Sequence, residues 1–236
     1  LEAGEAAGAS MHEWAHIKLF SPWKFNVDAA ARRLLETPAG SCLGDWDMPR
    51  ETSLPTGGEL VEHYLLPLAA HPALAPSIHR VIGVSRVLDD GIGLDKTRTA
   101  GRDQALFLVR TQSPEGIRDV TARAVIDASG TWNTPNPVGR AGLEAPGEAE
   151  ARSRGAITSP LPDPLGADRD AFAGKTLLVL GAGHSAANTL ISLGRLKSAQ
   201  ADTKILWGLR GTANPVKLYG GGAADQLPAR GQLGTS

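Results

Sequence analysis

The sequence predicts an α/β fold that combines a parallel sheet with an antiparallel three-stranded meander. An apolar run at residues 176–180 leads through a glycine turn into a helical pattern and then into a second apolar run at 204–209. Three strand-like segments joined by short turns precede this unit. A further run, 124–128, is apolar on both faces, which is typical of a strand in a buried parallel sheet.

The composition indicates an ordinary globular chain. Its 236 residues include 24 basic and 25 acidic ones, for a formal net charge of −1. This balance offers no general attraction to nucleic acid or to an anionic membrane. Cys42 is the single cysteine, so neither an intrachain disulfide nor a Cys-x-x-Cys pair can form. We therefore expect a reduced, cytoplasmic protein, and no apolar run approaches the roughly 20 residues that span a bilayer.

Two helices are predicted before the meander. The first covers roughly residues 27–35. Thr56 and Glu59 then have the spacing of a capping box, in which the hydroxyl and the carboxylate satisfy free backbone amides. The helix that follows, 60–70, is expected to end at His71, because a helix seldom continues through the residue before a proline.

The meander and a connector complete the predicted organisation. The meander strands are predicted at 78–87, 105–111 and 117–126. From residue 132 to 170 the chain is rich in proline, glycine and charge, which favours a domain boundary in that stretch.

The segment after the run at 176–180 fits the pattern Gly-x-Gly-x-x-Ala. Gly181 permits a tight exit from the strand, Gly183 lets a pyrophosphate approach the backbone, and Ala186 lets helix and strand pack closely. The following helix presents amides and the positive end of its dipole to an anion. In this strand-turn-helix context the pattern favours a dinucleotide site over a structural glycine turn. The candidate binding residues are Gly181, Ala182, Gly183, His184, Ser185 and Ala186.

The end of the second strand bears on the choice of nucleotide. An acid at that point binds the 2′-hydroxyl of NAD or FAD, whereas an arginine suits a 2′-phosphate. Here the run 204–209 is followed by Arg210, which predicts NADPH over NADH; a solvated surface charge is the alternative. His184 also has two interpretations, as a contact of the cofactor or as a solvent-facing residue at a variable position of the turn.

The order of these motifs resembles a known family. The glycine turn is preceded by the meander and by residues 125–130, which are similar to an apolar strand ending in Ala-Thr-Gly beside a flavin. The chain thereby resembles the two-dinucleotide-binding-domain flavoproteins, FAD- and NAD(P)H-dependent oxidoreductases that include flavin monooxygenase-like and thioredoxin reductase-like enzymes. The resemblance implies Rossmann-like three-layer domains, a partial FAD-binding domain at 1–143 and a partial NAD(P)H-binding domain at 144–236.

The opening Leu1-Glu2-Ala3-Gly4 is similar to the end of the second strand of the family's FAD-binding unit. The resemblance therefore implies that roughly 30 residues with the FAD phosphate loop precede this stretch, and that the stretch by itself is inactive. It places Glu2 on the adenosine ribose; a disordered terminal carboxylate is the alternative. The candidate FAD contacts are Glu2, Ser21, Trp23, Lys24, Val81, Ser129 and Gly130. Residues 14–25 form an aromatic segment around Trp23. For this aromatic segment, core packing beside a solvated Lys24 is an equal alternative.

The presence of both NADPH and FAD implies that a hydride passes from NADPH to FAD, and that the flavin then delivers electrons to an acceptor. Disulfide reductases need a cysteine pair, which Cys42 alone does not supply. The aromatic-Gly-x-x-x-His motif of flavin monooxygenases does not occur between residues 134 and 174. We predict a flavin-dependent oxidoreductase with O₂ or another small molecule as acceptor, monooxygenase-like chemistry being favoured. An NAD(P)H:acceptor reductase without oxygenation and a non-catalytic NAD(P)H-binding module are the alternatives.

Overall fold

The computed structural model describes residues 2–38, 46–87, 98, 100–209 and 225–234. Cys42 and Arg210 lie outside the described residues. The chain divides into two compact units. Unit 1 comprises Leu1–Glu13, Val27–Pro49 and Glu59–Thr131, and unit 2 comprises Trp14–Asn26, Arg50–Gly58 and Trp132–Ser236.

Among the described residues, helices come first, three consecutive strands follow, and helices and strands alternate only towards the C-terminal end. The α-helices are α1 (Ala9–His12), α2 (Trp23–Asn26), α3 (Ala29–Leu35), α4 (Gly57–Leu60), α5 (Leu66–Ala70), α6 (Glu148–Ser153), α7 (Arg169–Phe172), α8 (His184–Ala199) and α9 (Pro228–Gly231). A π-helix covers Val61–Leu65, and 3₁₀ turns cover Ala75–Ser77, Arg140–Gly142 and Gln232–Gly234. The strands are β1 (Arg80–Val87), β2 (Leu106–Ser113), β3 (Gly116–Ala122), β4 (Thr176–Leu180) and β5 (Lys204–Gly208).

The antiparallel meander of unit 1 confirms the sequence prediction. Its strands pair in the order β1-β2-β3, and Val109 at the centre pairs with Val84 on one side and Val120 on the other. Val109 is buried, and the guanidinium of Arg86 lies 4.3 Å from the centre of the Phe107 ring. Cross-strand pairs of β-branched and aromatic side chains of this kind stabilise antiparallel sheets.

The predicted parallel strand at residues 124–128 is wrong. Strand β3 ends at Ala122, and the chain from 124 to 130 pairs with no strand among the described residues. The carboxylate of Asp127 accepts hydrogen bonds from the amide and the hydroxyl of Ser129, at 3.0 and 2.7 Å, and this local turn competes with an extended ladder. Ile126 is 91% exposed, so the apolar run is not buried here as the prediction required.

The predicted helix at 60–70 forms with an irregularity that has an identifiable cause. Pro67 has no N–H to donate to the carbonyl of His63, and its ring disfavours the α-helical approach to that carbonyl. The chain widens into a π-turn, in which the amide of Leu66 donates to the carbonyl of Val61. The indole N–H of Trp46 donates to the carbonyl oxygen of His63 at 2.6 Å and so satisfies the acceptor that Pro67 leaves unused.

Helix α3 begins and ends close to the prediction of residues 27–35. Asp28 precedes it, and one carboxylate oxygen accepts from the amides of Ala30 and Ala31 at 2.8 and 3.1 Å. These are amides that a helix start otherwise leaves without a partner. The amide of Asp28 donates to the hydroxyl of Tyr64, which connects α3 to the π-helix of the same unit.

Unit 2 contains the strand-helix-strand unit that the sequence predicts. Strands β4 and β5 are parallel, with Leu177 paired to Ile205 and Val179 to Trp207, and α8 connects them. One face of the pair packs on α8 through a core of Phe172, Leu193 and Leu196. Alternate side chains of a strand point to opposite faces, so the other face carries Leu178, Leu180 and Leu206, all exposed. In the described residues of unit 2 the helix packs on one side of this sheet.

Glu148 binds three groups within the connector of unit 2, residues 132–170. Its side chain is 1% exposed, and its carboxylate accepts from the amide of Val138 at 2.9 Å, from the amide of Ala145 at 2.9 Å and from the guanidinium of Arg152 at 3.1 Å. The amides of Ala145 and then Val138 hold the pKa of the Glu148 carboxyl below its usual range, because they bind its charged form.

Glu148→Gln is expected to lower the melting temperature near neutral pH, with a pH dependence of defined sign. A carboxyl with a lowered folded-state pKa stabilises the fold above its unfolded pKa of about 4.3 and loses that contribution as the pH falls below it. The difference in melting temperature between wild type and variant should therefore shrink on acidification. Glu150→Gln is the matched control on the same helix, because the side chain of Glu150 is 70% exposed. Equal pH dependence of the melting temperature for the two variants contradicts the lowered pKa of Glu148.

Candidate functional site

The glycine turn lies between β4 and α8 in unit 2. Gly181 follows β4 directly and has a φ of +117°, a conformation that favours glycine. Gly183 is extended, with φ −88° and ψ 174°, and precedes the first residue of α8. Its carbonyl accepts the first helical bond from the amide of Ala187 at 3.1 Å. In the part of the chain that the structure describes, no side chain caps this helix and its first turn holds no acid.

The space around the turn is open. A Cβ atom built on Gly181 or on Gly183 has no described protein atom within 4 Å. Among the described residues, the lack of a side chain at Gly183 therefore serves no packing contact, and none of them blocks the approach of a ligand to that Cβ position. A turn of this form at the start of a helix suits a phosphate, which helix amides and the helix dipole attract. The geometry thus fits the pyrophosphate of a dinucleotide.

Strand β5 holds the turn from the neighbouring side. The amide of Gly181 donates to the carbonyl of Gly208 at 3.0 Å, and the indole N–H of Trp207 donates to the carbonyl of Gly181 at 2.8 Å. A Cβ on Gly208 would lie 2.5 Å from the Leu180 side chain, so that side chain would have to move to admit another residue there. Both hydrogen-bonding groups of the Gly181 backbone are thereby engaged.

The aromatic segment belongs to the same unit as the glycine turn. The amide of Leu19 donates to the carbonyl of Pro55 at 2.8 Å, and the amide of Gly57 donates to the carbonyl of Ile17 at 2.9 Å. The ring of Trp14 packs on the backbone of Gly57, where a Cβ would be only 2.7 Å away. The segment is therefore fixed by backbone pairing and by ring packing.

One contact brings the aromatic segment to the turn. The Phe20 ring lies beside the His184 imidazole, with 5.6 Å between ring centroids and an interplanar angle of 57°. This tilted arrangement is typical of aromatic neighbours. His184 is exposed and Phe20 half-buried, so Phe20 forms one wall beside the start of α8.

The three candidate flavin contacts of the aromatic segment have different surroundings. The hydroxyl of Ser21 donates to the carboxamide oxygen of Asn26 at 2.8 Å. Trp23 is buried and its amide donates to the carbonyl of Ser53 at 3.0 Å, which favours the core-packing interpretation of this residue. Lys24 is exposed, with its ammonium 4.9 Å from the centre of the Phe25 ring.

In unit 1 the structure brings Glu2 and Val81 together. The amide of Glu2 donates to the carbonyl of His79 at 3.1 Å, and the amide of Val81 donates to the carbonyl of Glu2 at 2.8 Å, so Glu2 extends the sheet at β1. One carboxylate oxygen of Glu2 accepts from the amide of Gly4 at 2.9 Å. Glu2 is therefore paired with the chain at β1 through its backbone.

Ser129 and Gly130 lie in the exposed segment that follows β3. The hydroxyl and the amide of Ser129 bind Asp127, which lowers the pKa of that carboxyl by stabilising its charged form. Gly130 has a φ of +71°, which a threonine or serine there would adopt only with strain. Both residues lie in unit 1, whereas the glycine turn and residues 21–24 lie in unit 2.

Comparison of the chain with protein-family profiles, with curated proteins and with solved structures finds no match. Within the described residues, no cluster of three or more histidine, cysteine, aspartate or glutamate side chains is placed to bind a metal ion. No helix in that same part of the chain has the length and hydropathy required to cross a membrane.

Sequence reasoning missed two residues at the turn. These residues are Phe20, which lies beside His184, and Trp207, which lies on β5. For Trp207 a signal does exist, because period two along β5 places it on the same face as Ile205, beside α8 and the turn. For Phe20 there is none, since its position depends on pairing with residues 55–57 far along the chain.

Proposed function

We propose that the chain binds NADPH at the glycine turn. The observation that carries the proposal is the open turn at Gly181 to Ala186, which follows a parallel strand and opens the 16-residue helix α8. The amides at the start of α8 would hold the pyrophosphate, and Gly183 would let it approach. Arg210, which follows β5 in the sequence, would bind the 2′-phosphate and favour NADPH over NADH.

We further propose that the chain belongs to a flavin-dependent oxidoreductase of Rossmann-like, three-layer construction. Residues 1–143 would contribute to FAD binding and residues 144–236 to NADPH binding, in a cytoplasmic enzyme. When both are bound, the two carriers supply hydride transfer from NADPH to FAD and electron transfer to O₂ or another small acceptor. The order of the meander before the glycine turn supports this assignment over a single-cofactor dehydrogenase.

The chain's own residues would bind the two cofactors and orient them. The backbone of Glu2 is held against Val81 on β1, so its carboxylate is positioned at the edge of the unit 1 sheet, where a ribose would bind. In unit 2, Phe20 and His184 would form a wall beside the pyrophosphate. The second candidate function, a non-catalytic NAD(P)H-binding module, is supported by the same turn and requires no FAD.

The decisive experiment measures nucleotide binding and flavin content separately. Isothermal titration calorimetry of the chain with NADPH and with NADH is expected to give a lower Kd for NADPH. Arg210→Ala is expected to weaken NADPH binding by about tenfold, the effect of losing about 1.4 kcal/mol of a charge-assisted contact, and to leave NADH binding nearly unchanged. Equal weakening of both nucleotides contradicts the role of Arg210.

Flavin content separates the two candidate functions. The protein purified as its gene encodes it is expected to be yellow, and anaerobic NADPH is expected to bleach that colour. A colourless protein that still binds NADPH supports the non-catalytic module instead. Failure to bind either nucleotide contradicts both functions.

A further inference from the structure

Trp207 makes a polar contact with the glycine turn that goes beyond strand packing. Its indole N–H donates to the carbonyl oxygen of Gly181 at 2.8 Å, a good length for such a bond. The ring lies on β5, whose backbone also accepts from the amide of Gly181 through Gly208 at 3.0 Å. The residue that begins the turn is thus held at both its amide and its carbonyl by one neighbouring strand.

The bond to Gly181 has a consequence for the next amide. The peptide group between Gly181 and Ala182 is planar and trans, as this structure has no cis peptide bond in the described residues. In a trans peptide the carbonyl and the N–H point in opposite directions. When Trp207 binds the carbonyl of Gly181, the N–H of Ala182 must point away from the indole. The indole therefore fixes the orientation of an amide within the turn.

This orientation would not be fixed by sterics alone. Gly181 has a φ of +117° and no described atom within 4 Å of a Cβ position, so no described neighbour packs against that position to restrain the residue. Glycine populates many backbone conformations, and its peptide rotates easily unless hydrogen bonds restrain it. The bond from Trp207 is such a restraint, and β4 and β5 provide a rigid base for it.

We propose that Trp207 is a positioning residue for the nucleotide. It orients the Gly181–Ala182 peptide so that the Ala182 amide is directed to the phosphate position of the turn. Successive backbone amides that converge in a turn form a concave anion site, and their value depends on their being oriented before the anion arrives. The inference rests on the proposed binding of NADPH at this turn.

The structure offers a closely matched control for the test. Trp46 makes the same kind of bond, from its indole N–H to the carbonyl of His63 at 2.6 Å, but in unit 1. Tryptophan-to-phenylalanine substitution at either position removes an indole-to-carbonyl bond and keeps an aromatic ring. The two variants therefore share the chemical change and differ in the backbone segment that is released.

The test measures the Kd of NADP⁺ for the 236-residue chain and for the two variants by titration calorimetry. Trp207→Phe is expected to raise the Kd by about two- to tenfold, the range that corresponds to one net hydrogen bond. Trp46→Phe is expected to leave the Kd unchanged. Equal Kd values for wild type and Trp207→Phe, or equal weakening by both variants, overturn the proposal while NADPH binding itself stands. Absence of NADP⁺ binding by the wild type overturns the proposed function and this inference together.

A spectroscopic readout distinguishes positioning from general destabilisation. In a ¹⁵N-labelled chain the five tryptophans give indole N–H signals, and the signal of Trp207 is assigned by its loss in Trp207→Phe. Addition of NADP⁺ is expected to shift that signal and to leave the signal of Trp46 in place. If the Trp207 signal does not move when NADP⁺ saturates the chain, the indole does not sense the turn and the proposal fails.

Discussion

Leu196→Ala is expected to lower the free energy of unfolding by about 3 kcal/mol, within the range of about 2–5 kcal/mol seen for buried leucines. Leu196 is 0% exposed and packs with Phe172 and Leu193 in the core between α8 and the parallel strands. The loss combines the transfer free energy of the removed atoms with the cost of the cavity that remains, because the structure around the cavity relaxes only partially. Urea denaturation followed by circular dichroism measures the change.

The opposite face of the same sheet supplies the control. Leu178 is 59% exposed, so Leu178→Ala removes a similar side chain without creating a cavity and should change the free energy of unfolding by less than about 1 kcal/mol. Similar losses for both variants would mean that the exposed face is covered in solution, and the core would not lie where the structure places it. A smaller loss for Leu196→Ala than for Leu178→Ala contradicts the assignment of the two faces.

The elements that the sequence predicts well are those specified by local pattern. An apolar run, a glycine turn and an apolar-faced helix lie in consecutive residues, and the structure has β4 and β5 within one residue of the predicted bounds, with α8 between them. The meander was predicted for the same reason, because turn residues separate its strands. In each case the information needed to form the element lies within about 10–20 residues of it, which is the range over which periodicity operates.

The elements that the sequence does not predict depend on partners distant along the chain. The π-turn follows from Pro67, but its exposed carbonyl is satisfied by Trp46, which no periodicity identifies as a neighbour. The wrong strand at 124–128 shows the reverse case. Its apolar pattern is that of a buried strand, yet the pattern does not specify a partner strand. Asp127 instead accepts hydrogen bonds from Ser129 in a local turn.

The candidate site divides in the same way. The glycine turn was found from its own residues, since Gly181 and Gly183 stand at the glycine positions of the pattern directly after an apolar strand. Its surroundings come from other parts of the chain, with Phe20 brought to His184 by a backbone pairing and Trp207 by the sheet. The sequence thus indicates where a ligand would bind, whereas the residues that orient the binding groups emerge only from tertiary structure.

Gly183→Ala is expected to separate nucleotide binding from folding. A Cβ on Gly183 meets no described protein atom within 4 Å, and φ −88° with ψ 174° is accessible to alanine. The stability gained by restricting the unfolded chain, about 0.4–1 kcal/mol, is offset by alanine's poorer performance at a helix N-cap. The free energy of unfolding should therefore change little. The same methyl group would occupy the space into which a pyrophosphate approaches, so the Kd of NADPH should rise by tenfold or more, equivalent to roughly 1.4 kcal/mol.

Gly181→Ala is the matched comparison, and it should show the opposite balance. Its site is equally open, but a φ of +117° forces strain on any side chain, at a cost of order 1–3 kcal/mol. We expect a lower urea midpoint for Gly181→Ala and a nearly unchanged midpoint for Gly183→Ala, measured beside NADPH titrations of both. If Gly183→Ala unfolds as readily as Gly181→Ala, the turn differs from its described geometry. If Gly183→Ala is stable and binds NADPH like the wild type, the pyrophosphate does not approach the backbone at Gly183, and the proposed site is wrong.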